Sequence, residues 1–104
     1  MGAPKVVKSA AALRDFQRIY AWIAFDGGHE RAEMNLARLD RTTERLARRP
    51  LMGPLRSEGA GNLRGFSVRP WTIIYRPLPE GAGVHILRIL DSRQDLSALL
   101  GKKT

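Results

Sequence analysis

The chain has 104 residues, 43% of them hydrophobic and 27% charged, with no cysteine and a formal net charge of +8. That length fits one domain with a real core and is too short for two, and the composition excludes a disordered chain. The lack of cysteine excludes a disulfide framework, a thiolate nucleophile and a sulfur-ligated metal site. No apolar run approaches the ~18 residues of a spanning helix, and residues 1–12 do not read as a signal peptide. A cytoplasmic protein without membrane contact is therefore expected, as a single domain over residues 1–104 with ends fraying at about 1–4 and 101–104.

The charge is spread along the chain: residues 1–50 carry ten basic and six acidic side chains, residues 51–104 eight and four. Arginine outnumbers lysine 14 to 4, which favours planar, bidentate contact with carboxylate or phosphate. Nucleic acid, nucleoprotein machinery and an acidic protein partner all fit such a surface.

In chain order, Val6–Val7 between two lysines predicts a short strand, confined by Pro4 to an edge or a strand start. Ser9 can cap a helix over residues 10–25, whose buried stripe is predicted as Leu13, Phe16, Ile19, Tyr20 and Ile23, with Trp22 flanking it. Asp26-Gly27-Gly28 stops that helix, and the short break makes the next helix an antiparallel neighbour. The second helix, residues 29–49, has its apolar stripe at Ala32, Leu36, Leu39, Thr43 and Leu46. Arg38, Arg41, Arg45 and Arg48 fall roughly opposite and are most simply its solvated face. Pro50 ends the helix, and residues 50–61 form a loop.

The period then changes to two. Residues 63–68, 71–76 and 84–90 predict three strands whose links are too short for helical crossovers, so they pair as an antiparallel meander. Residues 95–100 predict a last turn of helix, on which Leu96, Leu99 and Leu100 are useful only if docked on the domain. The architecture is α+β: a short strand, a helical hairpin and a three-stranded meander, with both helices on one sheet face. The other face is expected to be partly open and lined by Arg64, Arg69, Arg76, Arg88 and Arg93. Arg76 and Arg88 have an alternative use in pairing with Asp91 or Asp95. Trp71 is expected in the core, with an interface anchor as its other reading. Gly59, Gly61 and Gly65 do not follow a phosphate-loop pattern, and no cofactor or metal is expected.

Leu-Arg-x-Phe-x-Val from Leu63, Trp-Thr-Ile-Ile-Tyr-Arg-Pro from Trp71, Val-His-Ile-Leu-Arg-Ile-Leu from Val84 and Arg-Gln-Asp-Leu-Ser-Ala-Leu-Leu from Arg93 follow the strand and two helices. In this order the chain resembles the RelE/ParE superfamily of toxin–antitoxin toxins, and within it the ParE branch. The likeness runs from about Ser9 to Leu100 and includes the loop Arg49-Pro50-Leu51-Met52-Gly53. It implies a toxin in a hetero-oligomer with a ParD-like antitoxin, whose acidic segment would lie against the sheet arginines. ParE proteins poison DNA gyrase and block replication; RelE proteins cut messenger RNA on the ribosome. RNA cleavage needs proton carriers as well as cations. His85 and Tyr75 are the candidates for that role, with Arg64, Arg76 and Arg88 beside them. RelE-like nucleases carry a tyrosine or histidine near the end of the last strand, where this chain reads Leu90-Asp91-Ser92-Arg93. Many ParE-like chains have histidine at the Asp91 position, so this chain departs from its own branch there; one reading pairs Asp91 with Arg93. A gyrase-binding inhibitor rather than a catalyst is the expectation, with a ribosome-dependent endoribonuclease and a basic nucleic-acid-binding module as alternatives.

Overall fold

A computed structural model describes residues 2–57, 59 and 61–91. Arg93, Leu96, Leu99 and the helical turn expected over 95–100 lie outside the described residues. Strand β1 (Lys5–Lys8) leads into helix α1 (Ala10–Gly27), and α2 (His29–Arg48) follows after one residue. Strands β2 (Arg64–Val68), β3 (Trp71–Pro77) and β4 (Gly83–Asp91) complete the sheet. Among the described residues no helix is long and apolar enough to cross a membrane.

Ser9 makes the junction from strand to helix. Its side chain accepts from the Ala12 N–H at 3.0 Å, capping α1, while its hydroxyl donates to the Leu87 carbonyl at 2.9 Å. The same residue thus starts α1 and ties that start to β4. At the hairpin tip Gly28 has φ 91°, in the left-handed region that glycine enters without penalty; its N–H closes α1 on Ala24 and its carbonyl receives the Ala32 N–H.

The sheet order is β1-β4-β3-β2. The meander β2-β3-β4 pairs antiparallel, as the short links require. β1 lies parallel to β4, with Val6 opposite Val84, so the sheet is mixed. A parallel pair needs a long crossover, and the helical hairpin supplies it. Gly83 lets β1 come this close: it has φ 129°, and a Cβ there would lie 1.9 Å from the Lys5 carbonyl oxygen.

Both helices pack on one face. The main core joins Ala12, Phe16 and Ile19 of α1, Leu39 and Leu46 of α2, and Trp71, Ile73, Tyr75, Val84, Ile86 and Ile89 of the sheet. Ile86 and Ile89 share that face despite odd spacing because β4 bulges at Leu87: Tyr75 is paired with Ile86 and Ile74 with Arg88. The buried stripe of α1 differs from the one expected. Leu13 is half exposed, and Ala12 and Asp15 take inward positions. A search for large apolar residues passes over an alanine and an aspartate.

The far side of the sheet also departs from expectation. Leu63, Ile74 and Leu90 are buried there in a second apolar cluster, with Leu87 against it. Its centre is apolar and covered, so it is not an open arginine-lined surface.

Candidate partner-binding site

Asp15 organises one end of the molecule. It is 1% exposed, and its carboxylate accepts from Arg88 at 2.8 and 3.1 Å, from the Ile89 N–H at 2.8 Å and from Arg18 at 2.9 Å. Burial pushes the carboxyl pKa up, but the Arg88 bonds, the Ile89 N–H and Arg18 pull harder, and the net value lies below the ordinary carboxylate range. Arg88 is correspondingly held in its charged form by Asp15, against the opposing effect of burial. Arg88 was expected to line an open face or to pair with Asp91 or Asp95; its partner is Asp15 of α1. The pair fixes α1 against β4 where β1 has ended and left the Ile89 N–H without a strand neighbour.

Arg64 and Tyr75 form a second locked unit, opposite each other in the β2–β3 register on the helix-bearing side. The Tyr75 hydroxyl donates to the Pro50 carbonyl at 2.7 Å and accepts from the Gly53 N–H at 2.9 Å. Arg64 donates to the carbonyls of Gly53 at 2.7 Å and Leu51 at 3.2 Å. A Cβ at Gly53 would sit 2.8 Å from the Tyr75 hydroxyl oxygen, so only glycine allows the approach. The loop motif at 49–53 and the strand motifs of β2 and β3 are therefore hydrogen-bond partners. Burial raises the Tyr75 pKa, partly offset by the Gly53 N–H and by Arg64. Fully buried and bonded on both sides, the hydroxyl is not presented to a substrate in this conformation.

The remaining candidates are scattered. His85 is half-buried in mid-strand, between Val7 and Arg76 in the register. Alternation puts His85 and Arg76 away from the main core. Arg69 is exposed in the β2–β3 turn, where its carbonyl accepts from Arg38 at 2.9 Å. The Arg38 guanidinium also lies 5.5 Å from the Trp71 ring centroid, so it bridges α2 to the sheet and is not merely solvated. Trp71 itself is 8% exposed, within the main core. Arg64, Arg69, Arg76 and Arg88 thus form no continuous row. Among the described residues no group of three or more His, Asp or Glu could hold a metal ion.

Helix α1 also presents two exposed aromatics. Trp22 is 67% exposed and Phe25 91%. They border a groove of about 610 Å³ floored by Ile19, Trp71 and Ile89, with Arg18 and Asp91 at its rim. A hollow of about 230 Å³ continues past Trp22 toward Arg31, Asn35 and Pro70. Exposed aromatics beside an apolar floor, with charges at the rim, suit the anchoring of another chain. Sequence reasoning placed Trp22 at the helix–sheet seam and passed over Phe25. The available signal was angular: both lie off the buried stripe of an amphipathic helix. The Asp15–Arg88 pair, one turn before Ile19 and beside Ile89, ties α1 to β4 next to this groove.

Comparison with known proteins agrees with this architecture. The family model for the ParE toxin of the type II toxin–antitoxin system parDE matches residues 6–96. Toxin ParE3 of Caulobacter vibrioides is 38% identical over 100 residues, covering 96% of this chain and 98% of that protein. A solved structure of the chromosomal ParDE toxin–antitoxin system from P. aeruginosa superposes with a TM-score of 0.70 at 20% identity, covering 86% of this chain and 96% of that one. At that identity it bears on the fold alone.

Proposed function

Because this chain belongs to the ParE toxin family of type II toxin–antitoxin systems, we propose that it acts in the cytoplasm by binding and poisoning DNA gyrase. On this reading it blocks replication and is silenced in a hetero-oligomer by an acidic ParD-like antitoxin. The observation that carries a binding mode of action is the groove beside α1, with Trp22 and Phe25 exposed over a floor of Ile19, Trp71 and Ile89. Such a surface holds a partner's apolar side chains, and Arg18 and Arg31 nearby suit acidic residues flanking them. Membership of the ParE branch supports gyrase as the target. The two side chains weighed for RNA cleavage support a binder as well: Tyr75 is engaged by Pro50 and Gly53, and His85 is half-buried within β4.

The test is induction of the chain in bacteria, with and without the antitoxin encoded beside it. Covalent gyrase–DNA complexes and DNA-damage signalling should rise before translation falls, and co-expressed antitoxin should suppress both. Early arrest of translation, with messenger RNA cut at codons, contradicts the assignment to gyrase.

A further inference from the structure

Helix α2 carries a surface that neither the groove nor the core uses. Arg41, Arg45 and Arg48 are exposed, and Arg49 follows at the C-cap. With 3.6 residues per turn, the first three fall within about 60° of one another on one helix face. None of the four makes an ion pair with a carboxylate among the described residues. Arg38, next in the same series, is instead turned onto the Arg69 carbonyl and the Trp71 ring.

The helix dipole favours cations in a last turn, but each gains only ~0.3–1 kcal/mol and the effect fades within that turn. Arg41 lies about two turns back and is not accounted for. A protein interface would need an apolar anchor among these charges. Along α2 beyond Met34 no large apolar side chain is exposed, and Leu51, exposed two residues past Arg49, lies beyond the end of the helix and not among its three arginines. A phosphate backbone needs no such anchor. The three arginines span a rise of about 10 Å, over which a DNA duplex offers about six negative charges. Guanidinium forks bind phosphate oxygens bidentately.

We propose that the Arg41–Arg45–Arg48 face of α2, with Arg49 at its end, binds the phosphate backbone of duplex DNA. The face lies on the C-terminal half of α2, whereas the residues of that helix that reach the groove's extension, Arg31 and Asn35, are in its N-terminal half, so DNA and a protein partner can be held by separate surfaces. Its place in the cell rests on the gyrase reading: the toxin would grip the DNA segment that gyrase holds as well as the enzyme.

The experiment is fluorescence anisotropy of the full chain with a labelled 20-base-pair duplex of arbitrary sequence, from 50 to 200 mM NaCl. The comparison is between R41Q/R45Q/R48Q and a charge-matched control at exposed positions outside the groove, K5Q/R14Q/R69Q. Glutamine is nearly as good a helix former as arginine, and the three control positions are exposed, so both variants keep the fold. With about 0.9 in log–log salt slope per neutralised phosphate, the α2 variant should lose about 2.7 of the wild-type slope. Its affinity at 50 mM should fall at least tenfold, and the control should lose less than half as much in each. Equal losses in the two variants would mean a diffuse field and overturn the proposal, as would an unchanged α2 variant. Binding to single-stranded RNA in preference to the duplex overturns it. So does unaltered duplex binding accompanied by weakened binding to gyrase or to an acidic antitoxin peptide. Failure of the gyrase reading is separable: the salt slope would persist while no cleaved gyrase–DNA complex formed.

Discussion

Replacing Asp15 with asparagine keeps the shape of the side chain and removes the charge on which two arginines and one backbone N–H converge. Removing one partner of a buried ion pair costs ~3–5 kcal/mol, because the other charge is left desolvated and alone. Two features reduce that here. Asparagine keeps one oxygen acceptor, and the side chains of Arg88 and Arg18 are 20% and 55% exposed, so water can reach them. A loss of about 2–3 kcal/mol at pH 7 is expected, or about 8–15 °C in Tm for a domain of this size. Urea denaturation measures it, with the midpoint falling and the slope m unchanged. The pH dependence supplies the sign. The folded-state pKa of Asp15 is lowered, so its stabilisation is complete above the unfolded value of about 3.9 and is lost as pH falls through the folded value. The gap between wild type and Asp15→Asn should therefore hold at pH 7 and shrink below about pH 4. Equal stability at pH 7, or a gap constant from pH 7 to pH 3, would refute the role given to this pair.

Tyr75→Phe should cost about 1–3 kcal/mol by leaving the Gly53 N–H and the Pro50 carbonyl without their partner. Proteolysis of the 50–61 loop should quicken in parallel, and unchanged melting and cleavage would contradict the lock. Gly83→Ala should destabilise by at least about 2–3 kcal/mol, since its Cβ would run into the backbone of Lys5; a variant melting like wild type would remove the close approach of β1 to β4 from the account. Trp22→Ala with Phe25→Ala should leave the melting temperature within ~2 °C, both side chains being largely exposed. Titration calorimetry with the cognate antitoxin should nonetheless show binding weakened by at least tenfold. Undiminished affinity would move the partner off this groove.

The fold was largely legible because its signals were local. Ser9, Gly28 and Pro50 mark helix ends by backbone chemistry, and Ile, Val and aromatic runs broken by Arg69-Pro70 mark strands. The parallel seat of β1 was not legible, since four residues carry no register and the pairing arises only once the helical hairpin has returned the chain. The site was less readable. Arg88 and Arg64 look alike in sequence as cations set among apolar neighbours, yet one grips Asp15 and the other two loop carbonyls. Each partner is distant along the chain: the Asp15–Arg88 bond joins residues 73 apart. The bulge at Leu87 compounds this by breaking the alternation from which facing is inferred. Phe25 and Trp22 could have been found by asking which aromatics of α1 lie off its buried stripe.

The measurement that bears most directly on the mode of action is a reconstituted gyrase reaction with purified toxin, relaxed plasmid and ATP, free of ribosomes. Addition of the toxin should accumulate linear plasmid covalently attached to gyrase after denaturant treatment, and equimolar antitoxin should prevent it. Wild-type supercoiling with no trapped complex, alongside cleavage of transcripts on translating ribosomes by the same preparation, would contradict a toxin that acts by binding gyrase.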